Sequence, residues 1–186
     1  MRRSTICVTG ANDYYFSMTC MLLHSFRVQC PGEQLYICDF GLTKEQKKFL
    51  RRDGVLLERP EHLTEDLHPY CLKASIGDFI GDLEFDNIIW IDSDIFLTGN
   101  ICGPISKALS ELPADKPGIA LSRSCGEDSL SEFVERWSVK IFDTLLSHYG
   151  IDRELPYYNV GVVGIRGREF LNLWRDATHG IEEHLC

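Results

Sequence analysis

The run Ile88-Ile89-Trp90-Ile91, followed at once by Asp92-Ser93-Asp94 and then by Ile95-Phe96-Leu97, constrains this chain more than any other stretch. Four apolar residues, three of them β-branched, read as a buried strand. A strand has a side-chain period of two, so the spacing predicts that Asp92 and Asp94 project from one side of the backbone. Two hard anionic ligands there, with water and a ligand's oxygens completing the shell, suit Mg²⁺ or Mn²⁺. A solvated pair of acids at a surface strand end is the plainer alternative, and the order of elements around the pair decides between them.

That order begins with an apolar segment, Ser4 to Thr9, ended by Gly10-Ala11-Asn12-Asp13. From Ser17, the positions Met18, Met21, Leu22 and Phe26 fit the apolar face of a helix that Pro31-Gly32 closes. A second strand, Gln34 to Cys38, runs into Asp39-Phe40-Gly41. Thr43-Lys44-Glu45-Gln46 is a capping-box start for a helix that stops at Gly54. Val55-Leu56-Leu57 makes a short third strand. The alternation βαβαβ predicts a parallel sheet with helices on its faces. Pro69 suits the first turn of a helix from Tyr70 to about Ile80, which carries Lys73. After the central strand come a short helix between Pro104 and Pro113 and a strand from Gly118 to Ser122. Ser129-x-x-Glu132 opens an amphipathic helix that runs to Tyr149 and stops at Gly150. A late strand, Tyr158 to Ile165, precedes a helix from about Arg168 through Trp174. The expectation is one α/β domain over residues 1–186.

A length of 186 residues is enough to bury a core without disulfides. The net charge of −9 and the lack of a basic stripe weigh against nucleic acid as a partner. An anionic ligand would have to be attracted locally, by a divalent cation or a well-placed lysine. The eight cysteines form no C-x-x-C pair and lie mostly within apolar segments, which points to reduced thiols rather than zinc or a disulfide framework. No apolar stretch approaches the length of a membrane span, and Thr9 to Ser17 is too polar for a secretory core. A cytoplasmic location is the expectation.

Several landmarks in this order resemble the GT-A glycosyltransferases, specifically the glycogenin and lipopolysaccharide galactosyltransferase family. Val8-Thr9 is followed by Tyr15, and Ser25 stands ten residues on; Lys73 lies on the helix before the D-x-D strand. Asn100-Ile101 follows the second apolar run, and Tyr158-Asn159-Val160-Gly161-Val162 matches a late family strand. The resemblance implies a three-layer αβα sandwich with a mostly parallel central sheet. It also implies transfer of a sugar, with retention, from a nucleotide diphosphate donor, a UDP-sugar, to a glycan, lipid or protein acceptor. In that reading Asp92 and Asp94 hold Mn²⁺ or Mg²⁺. Thr9, Tyr15, Lys73 and Ser93 serve the nucleotide, Tyr15 by stacking on the base, and Asn159 binds the transferred sugar. Two departures stand out. The acidic residue that the family usually carries three positions before the tyrosine is Asn12 here, with Asp13 adjacent. The family's later Asp-Gln element, its further helices and a late His that supplies a third metal ligand would follow Cys186, so truncation or a reduced acceptor side is expected.

Other readings fit less well. A haloacid-type phosphatase would carry its second acidic motif downstream of D-x-D, whereas Gly77 to Asp82 lies upstream. A nucleotidyltransferase would place Arg and Lys in a Gly-rich first loop, and Gly10 to Asp13 contains neither. His24 reads as structural, and the spacing of His179 and His184 is not the i, i+4 pair of a helical zinc site. A GT-A-like domain that binds a nucleotide without transferring sugar remains the alternative from another class. The residues leave the donor sugar, the acceptor and the oligomeric state open.

Overall fold

A single sheet carries the chain in the computed structural model, which describes residues 5–64, 67–113, 118–123, 129–137, 146–147 and 150–185. The elements are β1 (Thr5–Ala11), α1 (Phe16–Gln29), β2 (Leu35–Asp39), α2 (Lys44–Arg52), β3 (Leu56–Leu57), α3 (Pro69–Ala74) and α4 (Ile76–Ile80). They continue with β4 (Asn87–Ile91), α5 (Cys102–Glu111), β5 (Gly118–Arg123), α6 (Leu130–Trp137), β6 (Tyr158–Arg166) and α7 (Glu169–Leu185). The strand order is β3-β2-β1-β4-β6-β5. β1 lies parallel to β2 and β4, with Val8 opposite Tyr36 on one side and Trp90 on the other. β3 runs parallel to β2, and β6 runs antiparallel to β4. The chain divides into two compact units: Leu121–Val160 is one, and Met1–Ala120 with Gly161–Cys186 is the other.

Alternation along the strands sorts the larger unit's core into two faces. Cys7, Ala11, Leu35, Ile37, Ile89 and Ile91 form one cluster with Leu22, Leu23 and Phe26 of α1, Leu50 of α2 and Cys102 of α5. Trp90 leaves β4 on the other side, where its ring stacks on Phe40 at 6.1 Å and Phe40 meets Phe79 of α4 at 5.4 Å. α3 and α4 sit on that side with α7 against them, fastened by an Arg175–Asp78 ion pair at 3.1 Å. The α/β sandwich and mostly parallel sheet follow from this arrangement, as the βαβαβ order predicts.

Four expectations are corrected. The apolar face of α1 is rotated: Met18 and Met21 are 45% and 58% exposed, while Thr19 and Ser25 are buried with Leu22, Leu23 and Phe26. Those two hydroxyls are tolerated because they donate to helix carbonyls, Thr19 to Tyr15 and Ser25 to Leu22, each at 3.0 Å. Ser25 Oγ also accepts from the Leu97 N–H at 3.1 Å, which ties α1 to the segment after β4. The helix expected over 70–80 is interrupted at Ser75, which joins α3 to α4; its hydroxyl donates to the Cys71 carbonyl at 2.9 Å. The strand before Asp92 stops at Ile91, so the period of two does not run through Asp94. The last helix reaches Leu185 rather than stopping near Trp174. The capping box at Thr43 and Gln46 is complete, and at Ser129 the hydroxyl accepts from the Glu132 N–H at 3.2 Å. Beyond Trp137 the amphipathic helix expected to Tyr149 lies outside the described residues, apart from a helical 146–147.

Two local arrangements brace the loops after β1 and β2. Gly10 makes room for Phe40: a Cβ there would stand 2.3 Å from the Phe40 ring, which is already held between Trp90 and Phe79. Asp39, buried at the end of β2, accepts from the Gly41 and Leu42 N–H groups at 3.0 and 2.8 Å and pairs with Lys47. Burial alone would raise its pKa; the bond from Lys47 and the two amides together outweigh that and hold it below the ordinary value of 3.8.

Because the folded pKa lies below the unfolded one, Asp39 stabilises the fold fully above pH 3.8, and that contribution disappears as the pH falls through the lower folded value. Asp39→Asn is expected to cost about 1–3 kcal/mol at neutral pH and to flatten the acid limb of the stability profile. Thermal unfolding of both proteins across the acid range checks this. Gly10→Ala must displace the Phe40 ring, at a cost of about 1–3 kcal/mol, and should alter Trp90 emission; denaturant unfolding followed by fluorescence reads both.

Candidate functional site

Parallel strands in an open α/β sheet leave their carboxyl ends beside a crevice, and ligands bind there. The larger unit has such a crevice, of about 410 Å³. The segment after β1 contributes Gly10, Asn12 and Tyr15, and Phe40 follows β2. His68, Pro69 and Lys73 come from the start and body of α3, and Trp90, Asp92, Ser93 and Asp94 from the end of β4 and its turn.

Asp92 is the centre of this arrangement. Its N–H donates to the Gly161 carbonyl at 2.7 Å, extending the β4–β6 ladder past the last strand residue. Its carbonyl accepts from the Ile95 N–H at 3.2 Å, closing the turn that carries Ser93 and Asp94. Its side chain lies on the Trp90 side, as a residue two places along should. Oδ1 accepts from the Trp90 indole Nε1 at 2.6 Å and from Lys73 Nζ at 2.7 Å. Lys73 is only 7% exposed, and its Nζ also sits 5.2 Å from the centre of the Trp90 ring. Burial pushes the Lys73 pKa down, while the nearby Asp92 and Asp94 charges pull it back up. A buried ammonium needs such a partner: removing one member of a buried pair costs about 3–5 kcal/mol, although the intact pair adds little net stability.

The first loop is shaped by Asn12, whose Oδ1 accepts from the Tyr15 N–H at 3.0 Å. Tyr15 is 40% exposed, so its ring is not a core aromatic; it stands edge-on to Tyr14 at 4.9 Å. Asp13 is turned aside and accepts from Gln46 Nε2 at 2.7 Å. The structure therefore brings Tyr15, Lys73, Asp92, Ser93 and Asp94 to one crevice. Thr9 is different. Strand alternation turns it to the face of Cys7 and Ala11; it is fully buried, and its Oγ1 has no hydrogen-bond partner among the described residues. Backbone beside it, at Gly10, reaches the crevice instead. Asn159 is an exposed residue of β6 in the smaller unit. The side chains of His179 and His184 lie outside the described residues. Phe40, His68 and Trp90 line the crevice without having been singled out in the sequence as site residues, Trp90 being read only as part of the strand. The rule that locates ligands beyond strand ends, applied to β2, finds Phe40; His68 has no such signal.

Among the described residues no group of three or more His, Cys, Asp or Glu is placed to hold a metal. Asp92 and Asp94 are oxygen donors on the crevice wall. One or two carboxylates with water and substrate phosphates is an ordinary Mg²⁺ shell. The pair therefore fits a cation whose shell water and a diphosphate would complete, rather than one caged by the protein alone.

No protein-family model matches this chain, and no curated protein matches it. Solved structures do. The galactosyltransferase LgtC, in complex with donor and acceptor sugar analogues, is similar over 91% of this chain with 18% identity and a TM-score of 0.57. The glycosyltransferase GlyE of Streptococcus pneumoniae is similar over 97% with 16% identity and a TM-score of 0.60. Mouse xyloside xylosyltransferase 1 is similar over 96% with 15% identity and a TM-score of 0.56. The chain spans 59% of the LgtC chain, 38% of GlyE and 71% of the xylosyltransferase. At such identities the likeness speaks for architecture: the chain has the GT-A fold.

Proposed function

We propose that this chain is the nucleotide-sugar domain of a metal-dependent glycosyltransferase. It would move a sugar, a hexose, from a UDP-sugar to a glycan, lipid or protein acceptor. The observation that carries the reading is the meeting of Lys73, Asp92, Ser93 and Asp94 on one crevice beyond the strand ends of a GT-A fold. LgtC, with this fold, is solved with donor and acceptor sugar analogues. A cytoplasmic location belongs to the reading because most of the eight cysteines lie within apolar segments, and no helix among the described residues is long and apolar enough to cross a membrane.

In this reading Asp92 and Asp94 hold Mn²⁺ or Mg²⁺. When bound, the cation supplies Lewis acidity where negative charge develops on the departing diphosphate. Lys73 offers a second, pre-placed positive charge in a water-poor setting, where it is worth more than in bulk solvent. Trp90 orients the Asp92 carboxylate. The exposed Tyr15 ring provides a flat surface for a base, and the Ser93 turn faces the phosphates. Asn159 is assigned the sugar on the strength of the family resemblance.

The test is thermal unfolding with UDP and UDP-sugars, with and without Mn²⁺, on the wild type and on Asp92→Ala combined with Asp94→Ala. A ligand at about 100-fold over its Kd should raise the wild-type Tm by on the order of 5 °C, in a Mn²⁺-dependent manner that the double variant lacks. Absence of any metal-dependent shift would rule the transferase reading out for this chain. Binding without hydrolysis or transfer of the sugar would make the domain a nucleotide-binding module instead.

A further inference from the structure

One of the two crevice carboxylates already has a cationic partner. Lys73 already occupies Asp92: its Nζ donates to Oδ1 at 2.7 Å, the oxygen that also accepts from Trp90 Nε1 at 2.6 Å. The lysine is nearly buried, with 8% of its side chain exposed, whereas the Asp92 side chain is 37% exposed. Asp94, exposed, stands on the same crevice wall. With Asp92, Asp94 and Lys73 all charged, the three groups carry one net negative charge, which repels an anionic ligand. A divalent cation added to the two carboxylates makes the sum one net positive charge.

We propose that Lys73 is an internal competitor for the metal position. A divalent cation entering the crevice displaces its ammonium from Asp92, and Trp90 keeps its hydrogen bond and holds the carboxylate in place during the exchange. This inference rests on the reading of Asp92 and Asp94 as cation ligands. The exchange has a physical basis on both sides. A doubly charged ion outcompetes a single ammonium for a carboxylate oxygen, and the displaced Nζ keeps the Trp90 ring face, 5.2 Å away, as a partial partner. The protein thereby holds its crevice closed to anions until a cation arrives, and then presents two positive centres together. Trp90 acts here as a positioning residue for Asp92. Phe40, stacked on its ring, fixes its plane.

Mn²⁺ binding measured by electron paramagnetic resonance, without any sugar donor, tests the inference. Lys73→Met keeps an unbranched apolar stem of similar length, and it is expected to tighten Mn²⁺ binding about 10-fold by removing the competing charge. Asp92→Asn should abolish binding. Unchanged or weaker binding in Lys73→Met, with normal wild-type binding, overturns the exchange while leaving the cation site intact. No wild-type binding, or binding that Asp92→Asn leaves untouched, overturns the cation site and the exchange together. A second measurement on the wild type does not depend on Lys73→Met folding. The Trp90 indole N–H resonance, assigned by its loss in Trp90→Phe, should shift on addition of Mg²⁺ and remain a single protected signal. An unshifted signal overturns displacement of Lys73, and loss of protection overturns the positioning role of Trp90.

Discussion

One carboxylate oxygen, Oδ1 of Asp92, takes hydrogen bonds from an indole and from an ammonium, and much of the surrounding structure follows from that sharing. A lysine that is 7% exposed is costly unless its charge is met at short range. Asp92 meets it only because the β4–β6 ladder runs one residue past Ile91, through the Asp92 N–H to Gly161, and because alternation brings residues 90 and 92 to the same side. The indole adds a second constraint: it cannot donate to Asp92 unless its plane is fixed. The Phe40 stack fixes it, and that stack exists because Gly10 has no Cβ. A chain of small local requirements thus links the first strand of the sheet to the charged groups of the crevice.

Much of this architecture could be read from residue types. Apolar runs ended by Gly, Asn or Asp located the strands, and Thr43 with Gln46 announced the start of α2, because such signals depend on short-range chemistry. The order of landmarks around Asp92 and Asp94 pointed to the fold that solved structures now show. The failures have a common origin in tertiary context. Met18 and Met21 fit a helical apolar stripe, yet the buried face of α1 includes Thr19 and Ser25. Their hydroxyls find carbonyls within the helix, and Ser25 finds the Leu97 N–H from 72 residues away. No periodicity argument anticipates that partner. The break at Ser75 was hidden for a related reason, since serine is acceptable within a helix until its hydroxyl and backbone compete for the same turn.

Thr9 and Asp94 show where a sequence landmark misleads about direction. Both were reached from sequence landmarks, but the direction of a side chain depends on the exact residue at which a strand ends. β1 keeps its alternation through Ala11, which sends Thr9 into the core and leaves Gly10 facing the crevice. β4 stops at Ile91, so Asp94 reaches the crevice wall through a turn rather than through strand periodicity. An error of a residue or two in a strand end is harmless for fold assignment and decisive for naming which atom faces a ligand.

The protein's overall charge gives the arrangement its purpose. At a net charge of −9, the long-range field does not favour a diphosphate, so attraction of one would have to be local, and in the proposed reading it begins with a cation. Two carboxylates are too few to hold that cation tightly by themselves. In the proposed reading that weakness leaves room in the shell, which the oxygens of a phosphate that follows the cation would complete. Lys73, bonded to Asp92, would oppose metal entry on the proposed exchange. On the proposed exchange Asp92 would serve two cations in turn, and which of them holds it would decide whether the crevice repels or attracts a phosphorylated ligand.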